Sequence, residues 1–296
     1  MKKLFIHIGL PKTATSYIQH FLFNNGDFLN KNGYHYVSTG LNNDLHCHHD
    51  LVWKLGLHSG PGYVCKDIRK HSNKTLAGLA TEHAQHSDKH LIISSELLTF
   101  LDDFKELEPL LSIFKNRAIR FIVNLRRQDS FLESLYLQVV KDGVGDTFQT
   151  WYHKARKIAD YNLLINNILQ VTQKDSLRIG IFGSGKKERN PAEDFLSSIG
   201  LDDKTFIVEN RFQNVRLAAA CIKIIRISNS LNLKINYKLV DFFTRHKERF
   251  YFLNNHTAYL SVKQRKAIRN AYRASNQALT DRIELPLHVK QEILSW

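Results

Sequence analysis

The 296-residue sequence is poor in cysteine, proline and acidic residues, and it has no long apolar run. Three cysteines, Cys47, Cys65 and Cys221, cannot build a disulfide framework, and no CxxC pair exists, which fits a reducing compartment. Five prolines and the lack of a Gly/Ser-rich tract leave no linker signature, so one domain over residues 1–296 is the expectation. No segment reaches the ~18 apolar residues of a membrane span. Residues 1–10 mimic the front of a signal peptide, but the run is short and contains His7. It leads straight into Pro11-Lys12 without a small-residue cleavage site. It reads as a first strand, and the expected location is the cytoplasm.

The shortage of acid leaves 42 Lys+Arg against 28 Asp+Glu, a formal charge of +14 and a pI near 9.6. The excess is uneven. Residues 211–296 hold 16 basic and 5 acidic residues, a net of +11, whereas the first 210 residues are only +3. With 43% hydrophobic and 24% charged residues the composition is globular, not disordered. Such a charge opens three partner classes: nucleic acid, a membrane surface, or small acidic ligands. A basic run is also what a solvated helix face looks like.

Four apolar runs, residues 3–8, 90–94, 119–125 and 177–182, have the continuous hydrophobicity of parallel strands buried on both faces. Helical patterns alternate with them. Tyr17, Ile18, Phe21 and Leu22 share a helical face, as do Leu107, Leu110, Leu111 and Phe114, and again Phe131, Leu132, Leu135, Tyr136 and Val139. This alternation predicts an α/β fold with a central parallel sheet flanked by helices. From about residue 213 onward the pattern is helical throughout, giving a basic helical region over 211–296. Residues 42–89, rich in His, Gly and Ser, read as a substrate-side insertion with short helices.

The first strand runs into Gly9-Leu10-Pro11-Lys12-Thr13-Ala14-Thr15-Ser16 and then a helix. A strand–loop–helix of this kind aims free N–H groups and the positive end of the helix dipole at one point, so it can hold an anion. Lys12, Thr13, Thr15 and Ser16 add a cation and hydroxyls. An ordinary N-capping loop uses the same residue types. A Walker A loop is excluded, because Gly-Lys-Ser/Thr is missing at the loop's end. The run Pro11-Lys12-Thr13-Ala14-Thr15-Ser16-Tyr17 resembles the 5′-phosphosulfate loop of sulfotransferases that use 3′-phosphoadenosine 5′-phosphosulfate (PAPS). Ala14 stands where that family usually has glycine, a change of little cost unless φ is positive there.

A second cluster follows the third strand. Arg126 sits at the strand end and Ser134 eight residues on, in a helix whose start the capping-box spacing of Ser130 and Glu133 places at Ser130. An Arg fork and a Ser hydroxyl can converge on one phosphate; an Arg at a strand end is also a common salt-bridge partner. The stretch from Leu125-Arg126-Arg127-Gln128 to Ser134-Leu135-Tyr136 resembles the bacterial carbohydrate-type sulfotransferases. There an Arg and a Ser at this spacing bind the donor's 3′-phosphate. Weaker likenesses at Asp160-Tyr161, Asp194-Phe195-Leu196 and Asn214 extend the resemblance over most of residues 2–230.

Glu96 ends the second run, where strand ends face the ligand crevice and a carboxylate can take a proton from a hydroxyl. It could equally be a glutamate stabilised at a helix start. His7 and His49 are rivals. The resemblance implies the three-layer, P-loop NTPase-like fold and sulfuryl transfer from PAPS to an acceptor hydroxyl, with 3′,5′-adenosine bisphosphate (PAP) as product and no metal. In that scheme Glu96 is the base, Lys12 neutralises the leaving oxygen, and Pro11, Lys12, Thr13, Ala14, Thr15, Ser16 and Tyr17 hold the 5′ side. Tyr17 stacks on adenine, and Arg126 and Ser134 take the 3′-phosphate. The implied acceptor is a glycan or its precursor. Two other readings remain open: a P-loop-type kinase or nucleotide hydrolase, and a nucleic-acid binder using the basic third with Tyr251, Phe252, Tyr259 and Tyr272. The near-Walker run from Gly180 to Lys187 reads as a basic surface turn. The segment His46-Cys47-His48-His49-Asp50 reads as polar surface or an acceptor-side segment rather than a zinc site, for want of paired ligand spacing.

Overall fold

The structure, a computed structural model, describes residues 1–57, 72–183, 190–203, 205–206, 217–246, 250 and 258–296. Cys65, the end of the near-Walker run, Asn214, Tyr251 and Phe252 lie outside the described residues. Five strands form one parallel sheet in the order β2-β3-β1-β4-β5: β1 Lys3–Gly9, β2 Tyr34–Tyr36, β3 His90–Ser94, β4 Ala118–Leu125 and β5 Leu177–Ile181. The helices are α1 Thr15–Asn24, α2 Gly26–Lys31, α3 His49–Lys54, α4 Ser72–Gln85, α5 Glu108–Ile113, α6 Gln128–Lys141, α7 Phe148–Ala155, α8 Tyr161–Ile168, α9 Pro191–Ile199, α10 Ala219–Ser230, α11 Asn236–Arg245, α12 Val262–Arg282 and α13 Leu287–Ser295. The parallel sheet flanked by helices is the fold expected from the four apolar runs. The edge strand β2, Tyr-His-Tyr, is an addition to them.

The chain packs as two compact units. One comprises Met1–Arg126, Tyr161–Arg211 and Gln277–Ser295; the other comprises Arg127–Asp160, Phe212–Asn276 and Trp296. The first holds the sheet. Side chains alternate along β1, so Phe5 joins Ile18, Phe21 and Leu22 of α1 and Phe195 and Leu196 of α9 in a core on one face. Ile6 turns the other way, toward Ile93, Leu51 and Val52 of α3, and Leu110 of α5. Helix, sheet and helix make three layers. In the second unit, Phe131, Leu132, Leu135 and Tyr136 form the buried stripe of α6, and Tyr136 meets Phe148 and Trp151 of α7 at 5.3 and 5.4 Å between ring centres.

The register positions the site. His7 on β1 pairs with Ser94 on β3, and Gly9 pairs with Asn124 on β4. The loop after β1, the turn at Glu96 and the strand end at Arg126 therefore leave the sheet side by side, at the carboxyl ends of its three central strands. That is where open parallel sheets bind ligands.

Candidate active site

The loop after β1 is braced from within. Thr13 N, Thr13 Oγ1 and Thr15 Oγ1 all donate to Leu10 O, at 3.2, 2.7 and 3.0 Å. Both threonines are buried and their hydroxyls lie 3.2 Å apart. Their hydroxyl hydrogens are thus turned onto the loop's own carbonyl, which leaves backbone N–H groups as the donors on offer. The first helical bond runs from Ile18 N to Ala14 O at 3.0 Å, so the N–H groups of Thr15, Ser16 and Tyr17 precede the helical ladder. Ser16 is exposed, and Tyr17 is half-buried against the core of α1 and α9.

Lys12 and Ala14 have φ of 67° and 61°, on either side of Thr13. Alternation of φ sign along successive residues is how a backbone nest gathers its N–H groups around an anion. The condition under which the missing glycine matters is therefore met: Ala14 holds a left-handed conformation that costs an L-residue about 1–2 kcal/mol. A glycine that sequence reasoning passed over lies just upstream. A Cβ on Gly9 would fall 2.2 Å from Thr15 Oγ1 and 2.9 Å from Thr15 Cβ, so only glycine lets the strand end approach the helix start. Its signal was present in the sequence, since a glycine closing a strand before a loop marks close backbone approach.

Arg126 reaches across the sheet end. Its Nη1 donates to Lys12 O at 2.8 Å, its guanidinium lies 5.6 Å from the centre of the Phe182 ring, and its carbonyl accepts from Tyr161 Oη. These contacts place a second, half-exposed cation beside the loop. Ser134 lies half-buried in α6 of the other unit. The helix start differs from the capping-box expectation. α6 begins at Gln128, not Ser130, and Glu133 does not reach back to the N-cap. Instead its Oε1 accepts from Leu260 N at 3.0 Å and its Oε2 from Arg265 Nη2 at 2.6 Å. Asp129, fully buried, binds Arg127 Nε at 2.6 Å and Arg265 Nη1 at 3.2 Å. Burial alone would raise the Asp129 carboxyl, but the two guanidinium groups outweigh it and hold it below its ordinary range.

Glu96 opens a short 3-10 turn directly after β3. Burial raises its carboxyl above the ordinary value while the Lys12 charge pulls the other way, which places that ammonium within electrostatic reach. About a quarter of the side chain (27%) stays open to solvent, so an acceptor can approach it. His49 Nε2 lies 4.0 Å from Glu96 Oε1, and its Nδ1 lies 2.9 Å from Ser95 Oγ. Ser95 is completely buried, so its hydroxyl and the His49 ring are held together away from water. Burial depresses His49 to about 4, so the ring is neutral at ordinary pH.

His7 and His48 are structural. His7 is fully buried, bonded through Nδ1 to Ser94 Oγ at 2.8 Å, set edge-on to Phe195, and depressed to about 3 by burial. His48 is equally buried, with Nε2 2.7 Å from Val37 O and Nδ1 accepting from Ser94 N at 3.1 Å. Of the two expectations for the segment from His46 to Asp50, polar surface does not hold: Cys47, His48 and His49 are buried, and His48 packs against the ends of β2 and β3. Among the described residues no group of three potential metal ligands occurs. Gly180, the first glycine of the near-Walker run, faces Asn124, whose Oδ1 would lie 2.5 Å from a Cβ there. It is a packing glycine.

A solved structure shares the overall fold. The crystal structure of a sulfotransferase from Alicyclobacillus acidocaldarius superposes with a TM-score of 0.54, covering 98% of this chain and 99% of that one. The chain shares its fold with a sulfotransferase. Only 10% of the residues are identical, so the likeness carries the fold and nothing finer. No protein-family model and no curated protein matches the sequence. Among the described residues no helix is long and apolar enough to cross a membrane.

Proposed function

We propose that this chain is a PAPS-dependent sulfotransferase that acts on the hydroxyl of a carbohydrate, in the cytoplasm. The observation that carries the reading is the pairing of Lys12 with Glu96 on the exits of adjacent strands, beside a strained loop of converging N–H groups that lacks the Walker lysine. The residues present fit such a donor. The nest and the start of α1 suit its 5′ side, and Lys12 and Arg126 supply cationic charge without a metal. The role expected of Ser134 at the 3′-phosphate rests on the sequence resemblance.

The donor brings an activated sulfuryl group whose transfer resembles phosphoryl transfer, with a loose transition state and charge on the leaving oxygen. The protein's part is positioning and electrostatics. Lys12 neutralises charge as it grows on the leaving oxygen. Glu96 accepts the proton of the acceptor hydroxyl, and its raised carboxyl is better matched to that task than an ordinary one. Neutral His49 lines the site 4.0 Å from Glu96. Arg126, held against Lys12 O, ties the position of the loop to that of β4.

The carbohydrate acceptor is supported by the likeness of the Arg126 to Ser134 stretch to carbohydrate-type members. Calorimetric titration with PAP, ATP–Mg²⁺ and an oligonucleotide separates the readings. Binding of PAP without metal, followed by sulfation of at least one member of a glycan panel with labelled donor, is the expected result. Preference for ATP–Mg²⁺ overturns the proposal in favour of a kinase or hydrolase.

A further inference from the structure

The site leaves one feature of the second unit unexplained. Helices α10 and α11 are joined by a five-residue turn, 231–235, and apolar side chains stand out around it. Ile227 is 48% exposed, Leu231 63%, Leu233 52% and Tyr237 73%. With Ile224, the residues Ile227 and Leu231 recur at helical spacing, so they line one stripe of α10 opposite its buried Cys221, Ile222 and Ile225. The turn is rigidly made. Asn232 and Lys234 are left-handed, with φ of 59° and 53°, and Leu233 N donates to Ser228 O at 3.2 Å. Asn236 Nδ2 bonds Lys141 O at 3.1 Å, and Asn229 Nδ2 bonds Val140 O at 2.7 Å, which fixes both ends of the turn on α6. Asn232 is the left-handed cap that commonly ends a helix, whereas Lys234 is a lysine held at positive φ.

The charge around these side chains has one sign. Between Ala219 and His246 there are five Lys and Arg and a single acid, Asp241, which is bonded to Arg245 at 2.8 Å. Lys234 and Lys238 flank the exposed leucines and tyrosine directly. Protruding aliphatic and tyrosyl side chains ringed by lysine fit neither a solvated helix face nor a purely polar polyanion. They fit a surface that is anionic outside and apolar beneath.

We propose that the α10–α11 hairpin is a docking element for an anionic lipid surface, with Leu231 and Leu233 entering the acyl boundary, Tyr237 at headgroup depth, and Lys234 and Lys238 on the headgroups. Part of the unexplained basic charge then serves location instead of donor binding. The inference is independent of the reaction carried out elsewhere on the chain.

Co-sedimentation of the full chain with vesicles tests it. Binding to phosphatidylcholine vesicles containing phosphatidylglycerol, little binding to phosphatidylcholine alone, and loss of binding in high salt are expected. Leu231→Ser with Leu233→Ser should weaken binding by about tenfold or more, as for apolar area no longer buried. Lys234→Glu and Lys238→Glu should each weaken it by at least about fivefold. All four positions are exposed, so an unchanged Tm identifies a folded variant. Three results overturn the proposal: no binding to anionic vesicles, binding that ignores the leucine substitutions, or a self-association in sedimentation velocity that those substitutions abolish. Retention on an acidic polysaccharide without vesicle binding also overturns it, in favour of a glycan-binding face.

Discussion

Gly9→Ala is the sharpest perturbation of the loop, because it adds one methyl group and changes no charge. The added carbon would stand 2.2 Å from Thr15 Oγ1, 2.6 Å from Thr15 Cγ2 and 2.9 Å from Thr15 Cβ, against an ordinary contact near 3.4–4 Å. Rotating Thr15 does not relieve the clash, since its Cβ is itself too close. The helix start must move by roughly an ångström, which breaks the bond from Thr15 Oγ1 to Leu10 O and the threonine pair. Overpacking of a filled site costs ~1–3 kcal/mol and a buried hydroxyl bond about 1 more, so a loss of ~2–4 kcal/mol is expected. Urea unfolding followed by circular dichroism measures the stability, and calorimetry measures PAP binding. Affinity should fall with stability, because the N–H groups of the α1 start are carried away with Thr15. The double variant Gly9→Ala with Thr15→Gly should recover part of the folding loss, a coupling that two independent sites would not show. A single variant within ~0.5 kcal/mol of the parent and unchanged in PAP affinity would refute the close approach of strand and helix.

Lys12→Ala should cut kcat far more than it weakens PAP binding; equal losses in both would remove its transition-state role. Glu96→Gln should bind PAP normally and transfer nothing, and on the proposed function the acid limb of the parent's rate profile should lie above the ordinary carboxyl range, because burial raises that group. An active Gln variant would dismiss Glu96 as the base. Ala14→Gly should stabilise the fold by about 0.5–1 kcal/mol, as strain at φ 61° is relieved against the entropy of a freer unfolded chain; a loss of stability would contradict the left-handed assignment. Stability should also fall in mild acid. His7 and His48 are lowered from 6.5 to about 3 and about 4, so the unfolded chain binds protons that the native one refuses. Their contribution is intact above pH 6.5 and lost as pH falls toward those values, at up to ~1.4 kcal/mol per pH unit each. Urea midpoints that stay level from pH 7 to pH 5 would show that neither ring is buried neutral.

The central strands β1, β3 and β4 were legible because strands covered on both faces are largely apolar, and the edge strand β5 was legible from Leu177, Ile179 and Ile181 although its Arg178 is exposed. β2 was not, because a three-residue edge strand reading Tyr-His-Tyr satisfies its pairing with β3 without any such run. The lysine loop, Arg126 and Glu96 were legible as types at strand ends, and the register then brought those ends together. What escaped depends on partners distant in sequence. Glu133 looked like half of a capping box, but Arg265, 132 residues on, takes it. His48 looked like surface, but its ring nitrogens are satisfied by backbone groups of Val37 and Ser94, which only the sheet places around it.

The net charge also reads differently once individual side chains have partners. In the basic third, Arg265 is committed within its unit to Asp129 and Glu133, so this cation answers two buried acids and is not available to a ligand. Lys263, Lys266 and Arg273 on the same helix are exposed, with apolar neighbours such as Ile268 and Tyr272 buried, the arrangement of an ordinary solvated face. The α10–α11 hairpin differs from both, since there the exposed neighbours of the lysines are themselves leucine, isoleucine and tyrosine. Charge alone treats these three groups as one. Their burial and partners separate a structural cation, a soluble face and a surface that still exposes apolar area, and only the last needs a partner to account for it.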